Sequence, residues 1–388
     1  MHKVSVSYKP SEVRSLLQHI VNNNQYLVEN DLQPLAIEIV GEPGIGKTTL
    51  VIDEAKRLGL DYYKLSMSQT DELSDLVGFP IREFKTNTGE WISEKQLNSS
   101  HELSGEARTA WCPPKWVPND ENSKGVLILD DWTRADSRFA QATMELIEKS
   151  EYMSWKLPKG WSIVLTSNPD NGDYAVNSLD TAQKTRYLSI NMKYDKDDWA
   201  EWAEANSIDS RCINFVLLNP EVLDVNKNLN ARIVTKFFNS ISSISSFKGN
   251  LRLIRTLGEA SVGSDFVERF LVFINNEQDR IPSPHEILTH DNEEYIIGKI
   301  KQVSGDREDT SYKAAVAGTI AARLVNYIKY SVTEPKKFKK KAFTERIKNI
   351  MLAKLFHDDT NYYLTASFSV IPQFEAFLQD PHIKQFIR

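Results

Sequence analysis

Residues 35–49 read LAIEIVGEPGIGKTT, and the order of their properties decides the fold. Leu35 to Val40 is a short apolar run of strand character. Gly41 to Thr48 (GEPGIGKT) matches G-x-x-x-x-G-K-[S/T] in full, and helical spacing then runs from Thr48 to Leu58, ending at Gly59. Strand, glycine loop, helix is the order a phosphate site requires. Glycines let backbone amides curl around phosphate oxygens, and the helix N-terminus adds partial positive charge. Lys47 reaches the β and γ phosphates, and the Thr48 hydroxyl completes a magnesium shell. A glycine-rich turn can arise by chance, but an eight-residue match in this context is poorly explained that way. Gly41, Glu42, Pro43, Gly44, Ile45, Gly46, Lys47, Thr48 and Thr49 are therefore the expected nucleotide contacts, with Thr48 also a metal ligand.

Outward from the loop, two further strands end in polar side chains. VLILDD at Val126 to Asp131 delivers two carboxylates at the end of a buried strand, where an open parallel sheet places its ligands. Asp130 is expected to hold magnesium and Asp131 to orient the attacking water. Alone this is a weak motif, because strands often end in an acidic turn; about 80 residues after a phosphate loop it gains force, since phosphoryl transfer needs both the cradle and the metal carboxylate. IVLTSNPD at Ile163 to Asp170 is expected to lie between those two strands, putting Asn168 beside the γ-phosphate to hold water without carrying charge. The plainer reading of Asn168 is an Asx turn before Pro169.

The rest of the chain fits an alternating pattern. Val13, Leu16, Leu17, Ile20 and Val21 share one helix face after Pro10 and the cap candidate Ser11, Tyr63, Leu65 and Met67 alternate, and Tyr187 to Met192 reads as another strand. Helical patterns such as Phe139 to Ser150 separate these strands, which indicates an α/β fold with a mostly parallel sheet. From Asp195 onward helical spacing dominates, at Trp199, Trp202 and Ala203, at Ile213 to Leu218 and at Ile233 to Phe238.

The set GEPGIGKT, DELSDLVGFP, LILDDWTRAD, LPKGWSIVLTSNP and LDTAQKTRY resembles the MoxR-like and dynein-related branch of the AAA+ ATPases over roughly residues 1 to 260. The resemblance implies a P-loop domain with a five-stranded parallel sheet at 1–194 and a helical lid at 195–262; beyond about Gly263, outside the resemblance, the chain itself reads as mainly helical but more charged, a C-terminal region at 263–388. It implies ATP with Mg2+, an ATPase activity, and a homo-oligomeric ring, usually a hexamer, in which an arginine from the next subunit completes the site. Arg186 in QKTRY falls at that arginine-finger position, Arg134 in DDWTRA also faces the subunit boundary, and Arg232 in NLNARIVTKF falls where the family carries a lid arginine on the γ-phosphate, with Arg211 nearby in sequence. The resemblance further implies chaperone-like remodelling of a protein substrate or adaptor, including one with a von Willebrand A domain. Residues Val77 to Ile92 resemble the branch's inserted hairpin, with Phe84 and Trp91 as contact residues; the plainer reading packs both on their own domain. One departure stands out: the family usually has glutamate where this chain has Asp131, one methylene shorter, which bears on the rate of hydrolysis.

Composition bounds these readings. The chain has 388 residues with 41% apolar and 26% charged, as in ordinary globular proteins, and its length calls for more than one core. A formal charge of -6 gives no global positive field for nucleic acid. No apolar run approaches a membrane span and MHKVSVSYKPSEV lacks a secretory apolar stretch, so a cytoplasmic location without membrane attachment is expected. Cys112 and Cys212 read as free thiols. The spacing of His285 and His290 in HEILTH misses that of a zinc helix by one residue. The lysines from Lys336 to Lys341, interleaved with Phe338 and Phe343, could touch a phosphate backbone, although such runs are more often solvated. A nucleic-acid-directed motor and a slow nucleotide switch thus stand as alternatives to protein remodelling.

Overall fold

The computed structural model describes residues 6–67, 72–134, 137–152, 155–169, 185–224, 229–276, 280–333 and 338–387. The chain divides into two compact units, Met1–Tyr194 and Asp195–Arg388.

The first unit runs β1 (Ser7–Tyr8), α1 (Pro10–Glu29), β2 (Ala36–Val40), α2 (Lys47–Arg57), β3 (Asp61–Ser66), α3 (Ser74–Val77), β4 (Phe79–Thr86), β5 (Trp91–Ser93) and β6 (Leu103–Cys112). It continues through β7 (Lys124–Asp130), α4 (Ser137–Lys149), β8 (Glu151–Tyr152), β9 (Trp155–Lys156), β10 (Gly160–Ser167) and β11 (Tyr187–Met192). Its main sheet has the order β1-β11-β2-β10-β7-β3, every pairing parallel. The five expected strands are joined at one edge by the two-residue β1, and β10 lies between β2 and β7 as the sequence order suggests.

Parallel strands need crossovers, and the crossovers cover both faces. Strand residues alternate accordingly. Ile37, Ile39, Val126, Ile128 and Val164 pack with Val13 and Leu17 of α1 and Leu50 and Val51 of α2. Leu127, Leu129, Ile163 and Leu165 point the other way, onto Phe139, Leu146 and Ile147 of α4. At the start of α1 the cap is Lys9 rather than Ser11: its backbone N–H donates to Glu12 Oε2 at 2.7 Å, with Pro10 in the first turn. Proline's fixed φ suits the first helical position, which moves the cap to the residue before it.

A second sheet, in the order β5-β4-β6 and antiparallel, extends the hairpin expected at Val77 to Ile92 by a third strand. Strand β6 (LSGEARTAWC) has little apolar alternation and is exposed over most of its length, so periodicity could not announce it. Cross-strand charges hold it. Arg108 pairs with Glu83 at 2.7 Å and Lys85 with Glu106 at 3.0 Å, and the Arg108 guanidinium lies 4.2 Å from the Trp91 ring centre. At its root Trp116 stacks on Tyr63 with centroids 5.3 Å apart and donates its N–H to the Asp75 carbonyl.

The second unit is helical among its described residues. Phe215, Phe237, Phe238, Phe266 and Phe270 pack ring on ring, and a larger cluster includes Ile296, Leu324, Ile347, Phe356 and Phe374. Arg323, 1% exposed, projects from the helix Ala314–Thr333. It grips both oxygens of Glu204 at 2.9 and 3.0 Å and donates to the Ser210 hydroxyl and the Asn214 side-chain oxygen. Of the lysine-rich stretch, Pro335 to Lys337 lie outside the described residues. Phe343 is 1% exposed, and Phe338 packs against it and against Phe374. Of the two aromatic residues in that pattern, Phe343 is therefore core and Phe338 is partly buried against it. Among the described residues no helix is long and apolar enough to cross a membrane.

Candidate functional site

The loop between β2 and α2 owes its path to glycine. Gly44 and Gly46 adopt φ of 76° and 96°, where side chains with a Cβ are disfavoured. Gly41 meets a different limit: a Cβ there would lie 2.6 Å from the Met192 carbonyl oxygen and 2.7 Å from Ile45 Cδ1. The loop is thereby pressed against the end of β11. Helix α2 begins at Lys47, so the N–H groups of its first turn, including those of Thr48 and Thr49, have no acceptor within the helix and are suited to anion oxygens.

Lys47 is 7% exposed, and its ammonium donates to the carbonyls of Gly41 at 2.6 Å and Glu42 at 3.0 Å and to Asn168 Oδ1 at 3.1 Å. Two residues 121 apart in sequence are thus joined because β10 is the neighbour of β2. The Asn168 side chain is 5% exposed and in contact with the loop lysine, and residue 170, on whose N–H an Asx turn would close, lies outside the described residues.

The third strand end completes the group. Asp130 Oδ1 accepts from the Thr48 hydroxyl at 2.5 Å and from the Thr166 hydroxyl at 2.7 Å, and Oδ2 pairs with the Lys64 ammonium at 2.9 Å. Burial pushes this carboxyl's pKa up. The hydrogen bonds from Thr48, Lys64 and Thr166, with the charge of Lys64, outweigh burial and hold the pKa below the ordinary aspartate value. A hydroxyl and an ionised carboxylate in contact at the end of a parallel sheet form an oxygen donor set of the kind magnesium takes, so the residues present fit that ion. Lys64 and Thr166 escaped the sequence reading. A lysine in an alternating strand reads as a solvated face, and only the pairing of β3 with β7 brings it to Asp130.

Asp131 has a left-handed backbone, φ 52°, with its N–H donating to Thr166 Oγ1 at 3.1 Å and its carbonyl accepting from Arg134 N–H at 3.0 Å. Aspartate is among the few non-glycine residues that tolerate this region, which gives a physical reason for the shorter acid here. Arg134 is exposed in a short 3-10 turn. Arg186, just before β11, pairs with Glu148 of α4 at 3.0 Å and keeps 35% of its side chain exposed. Residues 170–184, which hold most of LDTAQKTRY, lie outside the described residues.

In the helical unit Arg232 is exposed on the helix Ala231–Ile241, whose cap is Asn230. Arg211 is engaged structurally: it pairs with Asp209 at 2.6 Å, donates to the Ile244 and Ser245 carbonyls and covers the Phe247 ring at 3.5 Å. Trp91 is half-buried beneath Arg108, and Phe84 is half-buried with Arg82 5.4 Å above its ring. Among the described residues no group of three or more His, Cys, Asp or Glu forms a metal site by itself.

A parallel sheet with a glycine-rich phosphate loop between β2 and α2 and polar side chains at the adjoining strand ends is the arrangement of a P-loop nucleotide-binding fold. No protein-family model matches the chain. A 72-residue stretch is 29% identical to nucleoside-triphosphatase THEP1 of Saccharolobus solfataricus, covering 18% of this chain and 41% of that protein, so the chain spans less than half the length of that curated relative. Among solved structures, a RuvB mutant of Thermotoga maritima is similar with 12% identity and a TM-score of 0.38, over 83% of this chain and 88% of that one. A second RuvB mutant from the same organism has 12% identity and a TM-score of 0.35, over 74% and 76%. A candidate ATPase from Cytophaga hutchinsonii has 15% identity and a TM-score of 0.31, over 89% and 96%.

Proposed function

We propose that the chain is an AAA+ ATPase that binds ATP with Mg2+ and hydrolyses it, working as a homo-oligomeric ring, a hexamer in the MoxR-like branch it resembles, to remodel a protein partner. The observation that carries the reading is the convergence of Lys47, Asn168, Thr48 and Asp130 from three adjacent strand ends onto one glycine-walled loop.

The residues divide the work. The loop from Gly41 to Gly46 and the first turn of α2, with Thr49, present N–H groups to phosphate oxygens. Lys47 exchanges its carbonyl partners for phosphate and keeps Asn168 within reach. Thr48 and Asp130 are the magnesium ligands; when bound, the ion neutralises charge on the phosphates. Asp131 accepts the proton of the attacking water and Asn168 orients that water. Arg186, exchanging Glu148 for phosphate across a subunit boundary, supplies a permanent charge in planar form, with Arg134 beside that boundary. Arg232 serves as the lid arginine of a helical lid at 195–262, ahead of a C-terminal region at 263–388. The remodelled partner is a protein, a von Willebrand A domain protein in the branch's habit, and the compartment is the cytoplasm.

Substitution of Lys47 by alanine should abolish ATP binding, and Asp131→Asn should keep ATP bound while turnover falls. Arg186→Ala should bind ATP and lose on the order of 1,000-fold in rate. Mixed with Lys47→Ala it should recover part of the activity, because one interface then pairs an intact loop with an intact arginine. Undiminished ATP affinity in folded Lys47→Ala would remove the nucleotide site. A monomer with concentration-independent turnover and no recovery on mixing would remove the ring.

A further inference from the structure

Glu38 lies in the middle of β2, is 5% exposed, and is used by none of the chemistry above. Its Oε1 accepts from the indole N–H of Trp132 at 3.0 Å and from the Ser167 hydroxyl at 2.8 Å, and its Oε2 accepts from the Ser189 hydroxyl at 2.8 Å. These donors are all neutral. Burying a polar side chain costs free energy unless its atoms are hydrogen-bonded, and here donors from three separate segments are needed to satisfy one side chain, so an apolar residue would be the simpler choice for a purely structural strand.

The three donors have one thing in common. Trp132 directly follows Asp131, Ser167 directly precedes Asn168, and Ser189 sits opposite Glu38 on β11, three residues after Arg186. Trp132 is fully buried, and its ring meets that of Tyr187, the neighbour of Arg186, edge to face at 5.6 Å. The backbone at Asp131 is left-handed, a conformation that aspartate tolerates better than most residues but that still costs free energy, and the anchored indole of the next residue helps to hold it. Resting on the ATPase reading above, we infer that Glu38 is a positioning residue: by holding Trp132, Ser167 and Ser189 on one carboxylate it sets the Asp130–Asp131 turn in register with Asn168 and with the strand that carries Arg186.

The chemistry of the side chain makes the test selective. In Glu38→Gln the amide oxygen can still accept from Trp132 and Ser167, while the amide nitrogen donates to a Ser189 hydroxyl turned to accept. In Glu38→Leu the indole N–H has no acceptor, and Trp132→Phe removes that N–H while keeping the ring. The leucine and phenylalanine variants are expected to lose roughly 100-fold in kcat, the cost of a misplacement of about 1 Å, with the dissociation constant of a fluorescent ADP nearly unchanged; glutamine should recover most of the rate. Without nucleotide, the amides of residues 131–134 should exchange hydrogen faster in the leucine and phenylalanine variants and at the wild-type rate in the glutamine variant. If Glu38→Leu does not fold, Trp132→Phe decides the matter. A folded variant lacking the Glu38–Trp132 bond that keeps both wild-type exchange at 131–134 and wild-type kcat overturns the inference, as does glutamine behaving like leucine. Because exchange needs no turnover, a wild-type chain that proves unable to hydrolyse ATP would sink the reading of function and leave this inference to be decided by exchange alone.

Discussion

Each unit of the molecule buries a polar centre, and the two solve the same problem in opposite ways. In the sheet unit the polar atoms collect at one end of the strands. There Asp130 is held by two hydroxyls and Lys64, and its ionised form is favoured despite burial. In the helical unit Glu204 pairs with the buried Arg323 between helices; burial raises its pKa more than the guanidinium lowers it. The two carboxyl groups are exposed to a similar degree, 14% and 10% of the side chain; the donors around Asp130 outweigh burial and favour its charged form, whereas the Arg323 guanidinium does not outweigh burial at Glu204. The Arg323 bonds tie the helix Ala314–Thr333 to the helices Lys196–Ala205 and Ser210–Leu218.

The contrast breaks most visibly if the Arg323–Glu204 pair is cut on one side. Replacing Arg323 with leucine leaves the Glu204 charge buried and unpaired, which should cost about 3–5 kcal/mol in urea unfolding. ATP affinity in the still-folded fraction should be unchanged. A loss under about 1 kcal/mol would show that water reaches Glu204 when the arginine is gone.

Acid sharpens the comparison at intermediate size. Asp130 has a lowered folded pKa, so its stabilising contribution is complete above the unfolded value, about 3.9, and is lost as pH falls through the folded one. Glu204 has a raised folded pKa, so its contribution is fully present below the unfolded value, about 4.3, and declines as pH rises through the folded one. The Arg323→Leu deficit should therefore shrink as the solution is acidified into the carboxylate range, while Asp130→Asn should lose its difference from wild type only at lower pH. Parallel pH dependences for the two variants in chemical denaturation would contradict the assignment of opposite shifts.

The smallest effect belongs to the exposed sheet, where charges meet in water. Arg108→Ala, breaking the Glu83 pair and uncovering Trp91, should cost no more than about 1 kcal/mol and less in high salt. A larger loss in thermal unfolding would mean that β4, β5 and β6 support the main sheet rather than project from it.

What the sequence determined by itself was whatever is local or periodic. The loop GEPGIGKT carries its own geometry, because glycine conformations at Gly44 and Gly46 are residue properties, and the runs at Val126 and Ile163 disclose buried strands by apolar continuity. Strand alternation with helices was enough to expect a parallel sheet, with β10 placed between β2 and β7. The tertiary structure alone decided which side chains from distant segments share an oxygen. Lys64 reads as a surface lysine until β3 lies beside β7. Glu38 reads as a lapse in an apolar strand until Trp132, Ser167 and Ser189 arrive around it, and Arg323 reads as one cation in an alanine-rich helix until Glu204 faces it. Such pairings leave no periodicity in the sequence, because their partners are fixed by strand order and helix packing rather than by spacing along the chain.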